Sequence, residues 1–376
     1  MVNKYSVHDT QIYDEEAFMR VATLSVSDKK QKVIAKSLDH RSMDRKIFGS
    51  ITSSNNLINE VYLNMDLDRL RSFSNDTGLF DSFVNNNGSF LNAGALNVLF
   101  INLNVGNQEL NSDDITCLNH ILTWGTNDVY VMPTLEFDGL DRNDEMKNYS
   151  DFVKKMIECK NSMVPGNLNL GISVPAYFRY KDLDGLFKLY DDENDEPTFI
   201  SVDFSRAGFN DSKRMGVVNT INQYYKKKNI ENYFLYGLNV RTYQKRQVNP
   251  VSDEMIIARS GFNAVGSPHY PPSNRYIPPT TKVSQLGVVF DSDDYRFHRL
   301  TDQKNRDDFI DWASRFDYRF DIDGDLSKES RRIGPLIKRF NLYSENNEFF
   351  DLSDAIRKSD SDVIKDKLNK GLQRLF

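Results

Sequence analysis

Apolar and polar positions alternate along residues 18–38 in two runs around the polar turn Asp28-Lys29-Lys30, the pattern of a β-hairpin. Residues 55–74 place Leu57, Ile58, Val61, Tyr62, Met65, Leu67 and Leu70 near helical spacing, which predicts one or two short helices. Turn-forming residues from Asn85 to Asn92 then mark a boundary near residue 90. From residue 96 the pattern becomes regular. The run LNVLFINLNV is almost continuously apolar, as in strands buried on both faces of a parallel sheet. NSDDITCLNHILTWG follows as a helix, with Ser112 as N-cap, Asp113 and Asp114 in the first turn and Gly125 past its end. Strands at 128–137, 168–178, 198–204, 232–240, 262–266 and 285–291 continue the alternation with helical segments to residue 316, about seven βα units.

This alternation predicts an α/β fold: a (β/α)8-like barrel, irregular because no eighth strand is evident, with a large doubly wound parallel sheet as the alternative. The expected organisation is an N-terminal extension over 1–90 (β-hairpin plus short helices), a βα-repeat barrel-like domain over 91–316, and a charged helical tail over 317–376 packing on it. In the tail, Val363, Ile364, Leu368, Leu372 and Leu375 recur at helical spacing, an apolar stripe for the body or for a partner.

Composition removes several classes. Of 376 residues 39% are hydrophobic and 12% aromatic, too many for a disordered chain. No apolar run approaches the roughly 18 residues of a membrane span. The N-terminus lacks the basic and apolar regions of a secretory signal, so a cytoplasmic location and no membrane partner are expected. Two solitary cysteines, Cys117 and Cys159, exclude a disulfide framework and a cysteine-rich zinc site. The five histidines form no HExxH or HxH arrangement, so no metal is expected on them. Asp291-Ser292-Asp293-Asp294 resembles the start of a calcium loop but lacks the later Gly and Glu, and reads as a solvated turn. Nucleotide-loop and serine-elbow motifs are absent, and the residues name no cofactor.

Ligands of parallel α/β sheets sit at the carboxyl ends of the strands. Read in order, those ends offer Asn102 and Asn104; Glu136 and Asp138; Tyr177 and Arg179; Asp203 and Arg206; Asn239 and Arg241; Ser267 and His269; Asp291 and Asp293. Glu136 and Asp203 form a candidate catalytic acid/base pair, because adjacent carboxylates split their pKa values. Arg206 and Arg241 are candidate anion clamps. Arg179, Asn239, His269 and Tyr270 complete the candidate ligand-binding set, His269 and Tyr270 from the proline-rich stretch 266–281. Rim ion pairs, Glu136 with Arg179 or Asp203 with Arg241, are the competing structural role for these charges.

Net charge is −6, unevenly spread. Residues 206–246 carry nine Lys or Arg against two acids, with Tyr224, Tyr225 and Tyr243 interleaved, a candidate nucleic-acid contact or a solvated helix end. Residues 182–196 carry seven acids against one Lys. The stretch FLYGLNVRTYQKRQVNPVSDEMIIARSGFNAVGSPH (234–269) resembles the late barrel strands of tRNA-guanine transglycosylase-like enzymes, a glycine-bearing strand, a helix, then a strand ending in small polar residues. That family's cysteine and histidine zinc cluster and its DSGGF-type strand end have no counterpart here, so no residue role carries over. Two functions follow. One is an enzyme using carboxylate acid/base chemistry on a small anionic, phosphorylated or nucleotide-like ligand. The other is a non-catalytic subunit of an assembly or homo-oligomer, contacting a protein partner through its N-terminal hairpin and C-terminal helix.

Overall fold

The computed structural model describes residues 5–14, 19–38, 57–88, 90–92, 94–124, 127–163, 170–192, 197–244, 247–269, 287–316 and 326–372. β1 (Tyr5–Asp14), β2 (Met19–Val26) and β3 (Lys29–Gln31) form an antiparallel sheet. The central sheet is parallel and runs β4-β12-β11-β10-β9-β7-β6-β5, with β8 pairing β6 off this path. Its strands are β4 (Ala35–Lys36), β5 (Ile58–Asp66), β6 (Leu96–Gly106), β7 (Val129–Val131), β8 (Thr134–Phe137), β9 (Leu170–Val174), β10 (Phe199–Asp203), β11 (Phe234–Leu238) and β12 (Ala264–Val265). The protein is therefore mixed α/β, with eight parallel strands in its central path and helices packed against them.

The hairpin expected over 18–38 exists only as β2 and β3; the second run then leaves it, and Ala35 and Lys36 pair with β12. Residues 58–66 are a strand where helical spacing predicted a helix. β5 pairs β6 over nine residues and is buried on both faces near its start, which erases the period-two signal. Helix begins only at Leu67, where the Asp66 carboxylate caps the Arg69 N–H of α1 (Leu67–Asn75). β4 and β5 both precede residue 90 and belong to the sheet. The last expected strand does not: β13 (Val288–Asp291) folds back on β14 (Arg296–Arg299) as a separate antiparallel pair.

The other helices are α2 (Thr77–Gly88), α3 (Ser112–Trp124), α4 (Arg142–Met163), α5 (Leu183–Asp192), α6 (Ser212–Lys227), α7 (Asp253–Ala258), α8 (Gln303–Ser314), α9 (Leu326–Lys358) and α10 (Ser361–Leu372). Alternation of side chains along the strands divides the core. Val61, Leu99, Ile172 and Val202 face the helices, together with Leu118, Phe152 and Ile221. Ile58, Leu96, Val98, Val129, Phe199, Phe234 and Ala264 face the other way and cluster with Tyr5, Val7, Leu24 and Val26 of the N-terminal sheet. Leu38, beyond β4, makes a parallel bridge to Asn59 of β5: its N–H donates to Ile58 O (2.8 Å) and its carbonyl accepts from Glu60 N–H (2.7 Å). The amphipathic tail helix packs on the body, with Ile364 buried, the Arg259 guanidinium donating to the Lys367 and Leu368 carbonyls, and Lys367 paired with Glu348. Among the described residues, no helix is long and apolar enough to cross a membrane.

Candidate functional site

Strand register brings polar residues together at one end of the sheet. Asn64, Asn102 and Thr134 lie side by side on β5, β6 and β8, and the next rung is Asp66, Asn104 and Glu136. The lower rung is bonded across: Asn102 Nδ2 donates to Asn64 Oδ1 (3.1 Å) and Thr134 Oγ1 to Asn102 Oδ1 (3.0 Å). These residues, with Tyr62, Glu145, Tyr177, Asp203, Ser205, Arg206, Asn239 and His269, line a cleft of about 1050 Å³. Its position, outside the carboxyl ends of parallel strands, is where such sheets hold ligands.

Glu136 and Asp203 meet in this cleft. Their environments differ. Glu136 is exposed, and among the described residues no hydrogen bond or ion pair reaches its carboxylate. Asp203 is half-buried, and burial pushes its carboxyl above the usual range, with the charge of Glu136 adding to the rise. Bonds from Ser205 N–H (2.8 Å) and Asn239 Nδ2 (3.2 Å), and the Arg214 charge, act the other way.

The loops after β10 and β11 are held in uncommon conformations. Ser205 (φ 46°), Arg206 (φ 66°) and Asn239 (φ 54°) all occupy the left-handed region, costly for residues with a Cβ. The strain is locked by backbone bonds: Arg206 N–H donates to Asn239 O (2.8 Å), and Phe204 N–H to Leu238 O (2.8 Å). Asn239 Oδ1 in turn accepts from His269 N–H (3.1 Å), so one amide ties Asp203 to the β12 strand end.

Below the cleft floor a polar chain crosses the interior. The Tyr236 hydroxyl meets Glu60 and Ser37, and the second oxygen of Glu60 holds His269 Nε2. The His269 ring stacks on Tyr62 with centroids 4.0 Å apart and planes 4° from parallel. A Cβ at Gly266 would overlap the Glu60 carboxylate and the Tyr236 hydroxyl, so this chain requires glycine there. Burial raises the phenols of Tyr62 and Tyr177, helped in both by the Asp203 charge; among the described residues the buried Tyr177 hydroxyl has no hydrogen-bond partner.

Comparison with protein-family models finds no match for the chain. Comparison with curated proteins finds none either. The tRNA-guanine transglycosylase-like resemblance of residues 234–269 therefore gains no support, and the site is read from its chemistry alone.

Of the expected site residues, Glu136, Asp203, Arg206, Asn239 and His269 line the cleft. Arg241 is turned away, bound to Asp253 and to Asn210 Oδ1 (3.1 Å). Arg179 is exposed outside the lining, its N–H donating to Asp182 (2.8 Å). Tyr270 and the rest of the proline-rich stretch, 270–281, fall outside the described residues. Neither expected rim pair occurs. Tyr62, Asn64, Asp66, Thr134, Glu145 and Ser205 went unnoticed, the first three because their strand reads as a helix.

Other charged features lie elsewhere. Lys228 pairs with Asp191, joining the basic and acidic stretches, while Tyr224 stacks on Phe187 and Tyr225 on Tyr233, which occupies faces a nucleic-acid base would need. Asp291, Asp294 and His298 gather donor atoms within 4.8 Å of one another, outside the cleft lining. Lys304 places its ammonium against Asp291 (2.9 Å) and Asp293 (2.6 Å) there.

Proposed function

We propose that the protein is a carboxylate acid/base enzyme acting on an uncharged, polyhydroxylated ligand, with hydrolysis of a glycosidic bond as the reaction that best fits the cleft. The observation that carries this reading is the pairing of half-buried Asp203, whose carboxyl is raised, with exposed Glu136 in one cleft. A carboxyl that holds its proton donates to a leaving oxygen, and a second carboxylate across the bond serves as base or nucleophile. Asp203 takes the first role and Glu136 the second. Asn64, Asn102, Asn104 and Thr134 supply paired donors and acceptors suited to hydroxyl groups, and Tyr62 and Tyr177 supply aromatic surface.

Four acids line the cleft (Asp66, Glu136, Glu145, Asp203) against Arg206 and His269. That balance disfavours a phosphorylated or nucleotide-like ligand, which the sequence had allowed. Arg206, whose Nη2 donates to His269 O (3.3 Å), favours an anionic ligand from within the cleft, whereas Arg241 is bound to Asp253 outside it. β2 is buried throughout and α10 packs on the body, so neither needs a partner to cover it; the scaffold reading stays as the alternative, with β1 and the outer face of α10 as its exposed contact elements.

We also infer that the bridge between Leu38 and Asn59 closes the eight-strand path into a barrel. Residues from β5 and from β12, the neighbour of β4, share one apolar cluster, and Glu60, Tyr236 and Ser37 bond across the same interior.

The test is release of reducing ends or nitrophenol from a panel of oligosaccharides and nitrophenyl glycosides. Asp203→Asn and Glu136→Gln should each lower kcat by roughly 10²–10⁴-fold while the circular dichroism spectrum stays that of the wild type. Failure of every glycoside both to turn over and to bind, or variants as active as the wild type, would reject the proposal.

A further inference from the structure

At the opposite end of the sheet, a smaller cavity of about 240 Å³ lies between the N-terminal hairpin and the connection from α6 to β11. Arg20 of β2, Asn222 and Lys226 of α6, and Asn229, Ile230, Glu231 and Tyr233 of the connection line it, with Ile12 of β1. Arg20 is 3% exposed and Asn222 1%. One face of the Arg20 guanidinium is covered by the Tyr233 ring, 3.3 Å from its centroid.

Three buried donors in this wall have no acceptor among the described residues: Arg20 Nε, Arg20 Nη2 and Asn222 Nδ2. The oxygen of the Asn222 amide is already used, accepting from the Tyr233 hydroxyl (2.7 Å). Among the described residues no carboxylate makes an ion pair with Arg20. Glu231 acts on it only at longer range, and burial lowers the guanidinium to about 10. A buried cation with unfilled donors is costly unless something pairs with it.

We propose that this cavity binds a small oxyanion, a carboxylate or a phosphate group, on the unfilled donors of Arg20 and the Asn222 amide, with Lys226 at its rim. The guanidinium fork matches either group with paired bonds. The volume is below that of a typical drug-sized ligand site, which limits the guest to a free ion or the charged end of a small metabolite. The site shares no lining residue with the cleft, so it stands whether or not the glycosidase reading holds.

Titration calorimetry at low ionic strength, with inorganic phosphate in one arm and acetate in the other, tests the proposal on the full chain. Saturable binding near one per chain in either arm is the expected result, and the arm that binds identifies the group. Asn222→Asp replaces an unfilled donor by a negative acceptor and should weaken binding at least tenfold, as should Arg20→Lys, which keeps the charge and loses the fork. Arg206→Gln, in the cleft, should leave the affinity unchanged. No binding in either arm, binding indifferent to Asn222→Asp, or binding lost in Arg206→Gln would overturn the assignment, the last by placing the ion in the cleft. Asn222→Asp decides the matter if Arg20→Lys fails to fold.

Discussion

Asp203 is where function and stability oppose one another. Its folded carboxyl is raised, chiefly by burial, so the native state keeps this proton to higher pH than the unfolded chain does. Stability from this group is therefore fullest below the ordinary carboxylate range and falls as pH rises through the folded value. Asn at this position is neutral at every pH and keeps an oxygen for the Ser205 and Asn239 donors. Asp203→Asn should raise Tm at pH 7, by no more than about 2 °C for each kcal/mol regained in a chain of this size. Scanning calorimetry should show that gain shrinking towards zero as pH drops below the usual carboxylate range. A variant that is more stable yet inactive would mark Asp203 as retained for chemistry.

Two-residue β4 illustrates how an element is held by its neighbours. Backbone pairing with β12 covers only Ala35 and Lys36. The rest comes from side chains: Asn346 of α9 accepts from Lys36 N–H (2.9 Å) and donates to Lys36 O (3.2 Å), and the buried Lys36 ammonium meets Glu254 of α7 and Glu345 of α9. Removing the cation leaves two carboxylates facing each other in the interior. Lys36→Met should cost about 3–5 kcal/mol, read as a lower urea midpoint. Lys36→Arg should lose less, because it keeps the charge. An unchanged midpoint in Lys36→Met would show that packing alone holds β4.

The same triad gives the whole molecule a pH dependence. Burial pushes Glu345 up from its ordinary 4.5 to about 7, with Lys36 opposing the rise and the Glu254 charge adding to it. The native state then binds a proton that the unfolded chain has released across that window, so stability falls as pH rises from about 4.5 to about 7 and levels off beyond it. Lys36 does not titrate there, because its folded pKa is raised and its contribution persists up to the usual lysine range. Glu345→Gln should flatten the wild-type decline in unfolding free energy between pH 5 and 7.5. A profile identical to the wild type would mean that other groups carry the dependence.

Patterns that act within a few residues were legible in the sequence. The Ser252 cap and the acidic first turn of α7 are there, as are the apolar runs of β6, β10 and β11 and the stripe of α10. Strand ends could likewise be searched for Glu136, Asp203, Arg206, Asn239 and His269, because a strand's carboxyl end is a local property. What tertiary structure alone decided is which of these meet. β5 is buried on both faces near its start, and Ile58, Val61, Tyr62 and Met65 also fit helical spacing, so the alternation that places Tyr62, Asn64 and Asp66 on one face was masked. Arg241 carries the same strand-end signature as Arg206, yet Asp253, brought close by α7, turns it away. The Glu60 to His269 contact spans 209 residues, and the buried Glu345 ends up beside Lys36 across 309. Pairings at such distances depend on strand register and on packing of the whole sheet, and no short-range pattern in the chain encodes them.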